Sequence, residues 1–128
     1  MLRIMLVEDS ELLRGMLIEM LDEIEGVELA GDADGESLAI ERLARDPVDL
    51  AIVDLELNEG SGFGVLECLK KTPERFGHPR AVVFSTYAHR SVRQRCEALG
   101  ADAFFDKSEG MDELIDYVES AARQHDAG

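Results

Sequence analysis

The stretch that most restricts what this chain can become is one without alternation. Asp49-Leu50-Ala51-Ile52-Val53 is apolar at every position after its first. A strand with one wet face alternates polar and apolar residues, whereas a continuous apolar run bounded by turns belongs to a strand covered on both faces. Further short strand-like runs fall at residues 3–7, 27–31, 81–84 and 102–105. Each strand is followed by a segment with apolar residues at helical spacing. The first helix is expected over 10–24, capped by Ser10 and carrying Leu12, Leu13, Met16, Leu17, Met20 and Leu21. The second opens at Asp34 and ends before Pro47, the third covers 63–71, the fourth 89–99 and the fifth 111–123. Five βα units of this length require right-handed crossovers, which place helices on both faces of a parallel sheet. The expected class is a doubly wound α/β fold with a five-stranded parallel sheet.

A chain of 128 residues, 45% apolar and 32% charged, can bury one ordinary core, so a single domain is expected. No run approaches the roughly 18 apolar residues of a membrane span, and Met1-Leu2-Arg3-Ile4 leads into a strand rather than a signal peptide. A cytoplasmic protein is expected. The formal charge of -15 repels phosphate backbones and anionic lipids, so neither direct nucleic-acid binding nor a membrane partner is expected. Cys68 and Cys96 stand alone within helical patterns and read as reduced thiols. His78, His89 and His125 share no catalytic or metal-binding spacing and read as surface residues.

The polar residues that matter sit where strands end. Glu8, Asp9, Asp54, Ser85 and Lys107 each fall at or just past the end of a strand-like run. In doubly wound sheets ligands bind outside the carboxyl ends of the strands, where the strand order reverses. Parallel strands would therefore bring three acids, a hydroxyl and a single ammonium to one edge, a grouping suited to a metal and a phosphoryl group. Three carboxylates so gathered repel one another, and either one pKa rises or a cation relieves them. Magnesium, which prefers hard oxygen ligands, suits such a set.

Val7-Glu8-Asp9-Ser10, Ile52-Val53-Asp54-Leu55, Val83-Phe84-Ser85-Thr86 and Gly100-Ala101-Asp102-Ala103-Phe104-Phe105-Asp106-Lys107 stand in an order and approximate spacing that resembles the receiver domain of bacterial two-component response regulators, over nearly the full chain. The resemblance implies a flavodoxin-like strand order of 2-1-3-4-5. It implies that Asp54 is the phosphoacceptor, a carboxylate that becomes an aspartyl phosphate. It further implies Mg²⁺ held by Asp9 and Asp54, by Glu8 through a bound water, and by the backbone carbonyl of Glu56. Lys107 would pair with Asp54 before transfer and with a phosphoryl oxygen afterwards. Ser85 and Phe104 would form the switch: Ser85 donates to the phosphoryl group, its loop moves inward, and Phe104 follows. The implied partners are a sensor histidine kinase or histidine phosphotransfer protein and an unidentified downstream protein. A phosphorylation-dependent homodimer through the fourth helix, fifth strand and fifth helix is also implied. Such a protein is no enzyme beyond its own phosphorylation and dephosphorylation.

Several residues depart from the common family pattern. Ser108 follows Lys107 in place of proline, so the 107–108 peptide is expected to be trans, with Ser108 capping the fifth helix. Asn58 also replaces a proline, and Thr86 is larger than usual, which would narrow access to Asp54. Strand alternation points Phe104 and Asp106 away from the face of Phe105 and Lys107. Asp106 would then lie outside the phosphorylation pocket, near a surface where Arg90, Arg93 and Arg95 face Asp112, Glu113, Asp116 and Glu119. The chain divides into a receiver over 1–124 and a short tail over 125–128, without an output domain. Two other readings remain open at this point. Asp54-Leu55-Glu56-Leu57 is similar to the nucleophile loop of haloacid-dehalogenase-like phosphohydrolases, with Glu56 as general acid/base. A flavodoxin-like flavin carrier would need hydroxyls and glycines in the first loop, where Glu8 and Asp9 would expel phosphate.

Overall fold

The structure is a computed structural model and describes residues 1–127. Its elements run β1 Leu2–Val7, α1 Glu11–Asp22, β2 Val27–Ala33, α2 Glu36–Arg45, β3 Leu50–Val53, α3 Gly62–Lys71, a 3-10 turn Pro73–Phe76, β4 Arg80–Ser85, α4 Arg90–Ala98, β5 Ala103–Asp106 and α5 Met111–Ala127. All strand pairs are parallel, in the order β2-β1-β3-β4-β5 expected from the sequence.

Alternation along the strands splits the core into two layers. Met5, Val7, Ala51, Val53, Ala81 and Val83 pack on one side with Ala39, Leu43, Val65 and Cys96 from α2, α3 and α4. Ile4, Leu6, Leu50, Ile52, Val82 and Phe84 pack on the other with Leu17, Leu21, Leu114 and Val118 from α1 and α5. All four residues of β3 are buried, as its unbroken apolar run requires. Both cysteines are free.

Several helix ends differ from expectation. Ser10 caps α1, its Oγ accepting from Leu13 N at 3.2 Å, but α1 stops at Asp22, before a turn that closes at Gly26 with φ of 84°. Leu12 and Met16 fall on the solvent side of α1 instead of in the core. Asp34 does not open α2; the cap is Gly35, whose side-chain role is taken by Glu59, with Oε1 accepting from Ser37 N at 2.9 Å. Asp34 instead accepts from Asn58 Nδ2 at 3.2 Å and so helps hold the loop after β3. Ser108 does not cap α5: its N–H and hydroxyl both donate to Asp106 Oδ1, at 2.9 and 2.7 Å, and the first turn of α5 closes on the Gly110 carbonyl. The described residues contain no cis peptide bond, as expected at 107–108.

The fifth helix runs past its expected end at 123 and continues through Ala127. Its last turns find partners in the body: Gln124 Oε1 accepts from Arg80, and Asp126 lies 3.8 Å from the N-terminal ammonium. Gly128 lies outside the described residues. Among the described residues no helix is long and apolar enough to cross a membrane.

Candidate functional site

The site grows out of the last backbone bonds of the sheet. Glu8 N donates to Ala33 O and Asp54 N to Val7 O, each at 2.9 Å, so strand pairing fixes both acids at the carboxyl edge. Lys107 N donates to Ser85 O at 3.0 Å, which places the lysine just past the β4–β5 pairing. The loop carrying Glu8 and Asp9 is tied from several directions. Glu8 Oε2 accepts from Ser10 N at 3.0 Å, and Glu8 O accepts from the Arg14 guanidinium at 2.8 Å. Arg14 in turn pairs with Asp32 at 3.1 Å. Behind Asp54, α3 approaches so closely that only glycine fits at residue 62: an added Cβ would collide with the Asp54 carbonyl.

Glu8 and Asp54 are almost fully buried, at 1% and 3% exposure, and Asp9 is half-buried. One carboxylate oxygen from each of the three lies within 4.8 Å of the others. Lys107 Nζ stands 2.8 Å from Glu8 Oε1 and 2.8 Å from Asp54 Oδ2, bridging the two buried acids. Burial raises the pKa of Glu8, against the hydrogen bonds it accepts from Lys107 and Ser10. For Lys107 burial acts to lower the pKa, but its bonds to Asp54 and Glu8, with their charges, outweigh it and raise the value. The site is thus an ammonium held between carboxylates, with a third acid at the open side. Three hard oxygen donors at this spacing, drawn from two neighbouring strand ends, fit a divalent ion such as Mg²⁺.

A sequence profile of the response regulator receiver domain matches residues 4–119. The chain belongs to that family. It is a receiver of two-component phosphorelay signalling. Among curated relatives it is 33% identical over 103 residues to a protein-glutamate methylesterase/protein-glutamine glutaminase of Desulfotalea psychrophila, covering 80% of this chain and 28% of that protein. It is 31% identical over 102 residues to the sensory transduction protein LytT of Bacillus anthracis, covering 80% of this chain and 40% of the relative. The chain therefore spans less than half the length of either relative. The response regulator domain of Thermotoga maritima CheB has the same fold, with a TM-score of 0.81 at 21% identity over 96% of this chain and 94% of that one.

Ser85 is buried at 0% exposure, and its Oγ accepts from Tyr87 N at 3.2 Å. Glu56 N points at Asp54 Oδ1 at 3.4 Å, while the exposed Glu56 carboxylate accepts from the Thr86 hydroxyl at 3.4 Å. Glu56 and Thr86 thus meet across the mouth of the site. That engagement with Thr86 gives no support to Glu56 as the acid/base of a haloacid-dehalogenase-like hydrolase. Phe104 packs half-buried in the layer shared with α4, and Phe105 packs edge-on against Tyr117 of α5 at 5.7 Å, on opposite faces as alternation requires. Asp106 stays out of the pocket. Its pKa is lowered by the Ser108 bonds and, in smaller part, by the charge of Arg93.

The expected basic face of α4 is divided. Arg95 stacks on Phe63 of α3 at 3.9 Å, and Arg93 stacks on Phe104 at 4.7 Å. Two contacts escaped the sequence reading: that of Arg14 with the Glu8 carbonyl, and that of Glu8 with Lys107. Both contacts join residues whose pairing depends on loop conformation, which no local pattern encodes.

Proposed function

We propose that Asp54 is the phosphoacceptor of this receiver, and that the donor is a phosphohistidine on a sensor kinase or a histidine phosphotransfer protein. The observation that carries the reading is Lys107 Nζ at 2.8 Å from both Asp54 and Glu8, with Asp9 completing the acidic trio. An Asp54 carboxylate oxygen forms the new bond to phosphorus as the bond to the donor nitrogen breaks, and the electron pair leaves with the imidazole. When bound, Mg²⁺ would offset the charge of the carboxylates and of the incoming phosphoryl oxygens. Asp9 and Asp54 would hold it directly, with Glu8 through water and Glu56 through its backbone carbonyl. Lys107 is within reach to exchange its Asp54 contact for a phosphoryl oxygen. The Ser85 hydroxyl supplies a further donor, and Phe104 follows the loop that Ser85 draws in.

The modified receiver acts on an as yet unidentified protein, or on a second copy of itself, through the face of α4, β5 and α5. It is not an enzyme on external substrates, and its acidity keeps it from nucleic acid and anionic membranes. The test is intact mass after incubation with magnesium and a small phosphodonor. One phosphoryl mass should be added, lost at alkaline pH as acyl phosphates are, and absent from Asp54→Asn. An added mass that persists in Asp54→Asn would falsify the assignment.

A further inference from the structure

One side chain ties the switch aromatic to the loop that must move. Arg93 projects from α4 with its guanidinium over the Phe104 ring at 4.7 Å, while its Nε donates to the Ala88 carbonyl at 3.0 Å. Ala88 lies in the segment 86–89 between β4 and α4, the same segment that Ser85 holds through its bond from Tyr87 N at 3.2 Å. Arg93 and Phe104 together line two surface grooves, one of about 280 Å³ shared with Glu109 and Glu113 and one of about 400 Å³ shared with Cys96 and Glu97. Elsewhere α4 is held by Arg95 on Phe63, by the Lys70 ammonium donating to the Ala98 carbonyl, and by few buried side chains. Cys96 is its one fully buried residue among those described, with Val92 half-buried beside it. Of these contacts, those of Arg93 are the ones that join α4 to both its leading loop and β5.

We propose that Arg93 is a positioning residue that keeps loop 86–89 and the Phe104 ring in the arrangement of the unmodified protein, so that it sets how readily Asp54 is phosphorylated. The proposal rests on Asp54 being the acceptor. A phosphoryl group that recruits Ser85 moves the loop, and moving the loop strains or breaks the bond from Arg93 to Ala88. Arg93 thus weights the equilibrium against the form that phosphorylation favours, and its removal enlarges the competent fraction. Arg95 provides the internal control. It makes the same kind of stack from the same helix but on Phe63, away from loop and switch.

Two measurements decide the matter, each on the full chain as Arg93→Ala, Arg93→Lys and Arg95→Ala. In the unmodified protein, hydrogen exchange should quicken at the amides of 86–89 in Arg93→Ala. With magnesium and a small phosphodonor, Arg93→Ala should be phosphorylated about fivefold faster than the parent, through the combined loss of the stack on Phe104 and the bond to Ala88. Arg93→Lys, which retains a cation over the ring but not the bond to Ala88, should fall between, and Arg95→Ala should match the parent in both. The proposal is overturned if Arg93→Ala leaves exchange unchanged, or phosphorylates no faster while its denaturation midpoint holds. It is equally overturned if Arg95→Ala accelerates both as much, because loosened helix packing would then be the cause. A parent protein that takes no phosphoryl group at all would sink the acceptor assignment instead, and exchange at 86–89 would still judge the hold of Arg93 on its loop.

Discussion

At the scale of single residues the site is governed by how much charge a nearly dry edge of the sheet can hold. Glu8 and Asp54 are buried to within a few per cent, and a lone ammonium serves both. Removing water from a carboxylate penalises its charged form, and Glu8 shows the result as a pKa raised above its ordinary 4.5. The unfolded chain releases this proton near 4.5, while the folded protein keeps it to higher pH. Glu8 therefore favours folding below 4.5, and that contribution is lost as pH rises through its folded value. In metal-free protein the urea midpoint of the parent should decline across this interval relative to Glu8→Gln, which has no proton to lose. Parallel curves for the two proteins would show that Glu8 ionises in the folded state as it does in water.

At the scale of elements, the edge is aligned by close approaches of backbone. The first turn of α3 lies against the strand end that carries Asp54, and the space for a side chain at residue 62 is taken by the Asp54 carbonyl and Leu55. Gly62→Ala should destabilise the protein by about 1–3 kcal/mol, as overpacking does, and should slow phosphorylation because the displaced strand end carries Asp54, the proposed acceptor. Gly15 is the opposite case: it lies within α1, where an added methyl meets nothing within 4 Å. Gly15→Ala should stabilise by roughly 0.5–1 kcal/mol through the lower entropy cost of fixing alanine in a helix. Chemical denaturation of the two variants beside the parent checks both signs. This contrast also marks what could be read from the chain. The strands were legible because their period and composition are local, and parallel pairing of those strands then placed Glu8, Asp54, Ser85 and Lys107 at one edge without further information. The close approach at Gly62 was not legible, since nothing near it in sequence names Asp54 as the neighbour. The cap of α2 by Glu59 and the stacking of Arg95 on Phe63 were likewise hidden, because each partner lies more than 20 residues away.

For the whole molecule the deciding quantity is a net charge of -15, from 28 acidic and 13 basic side chains. Self-repulsion of this size disfavours the compact state, and any salt relieves part of it because exposed charges are screened over about 8–10 Å at physiological strength. The three gathered acids are a separate matter. Screening reaches buried charges weakly, whereas an ion bound among them stabilises only the folded chain, since in the unfolded chain Asp54 is no longer held beside Glu8 and Asp9. Sodium chloride and magnesium chloride at matched ionic strength distinguish the two effects. Both salts should raise the urea midpoint of the parent and of Asp9→Asn by the common screening contribution. Magnesium should add about 2.7 kcal/mol to the parent alone when present at a hundred times its dissociation constant. Asp9 is the suitable residue to change because it is half-exposed and outside the Lys107 bridge, so its loss removes a ligand without unpairing a buried charge. If the two salts act alike on the parent, the carboxylates do not form a magnesium site; if Asp9→Asn keeps the full magnesium increment, the ion is held elsewhere on the acidic surface.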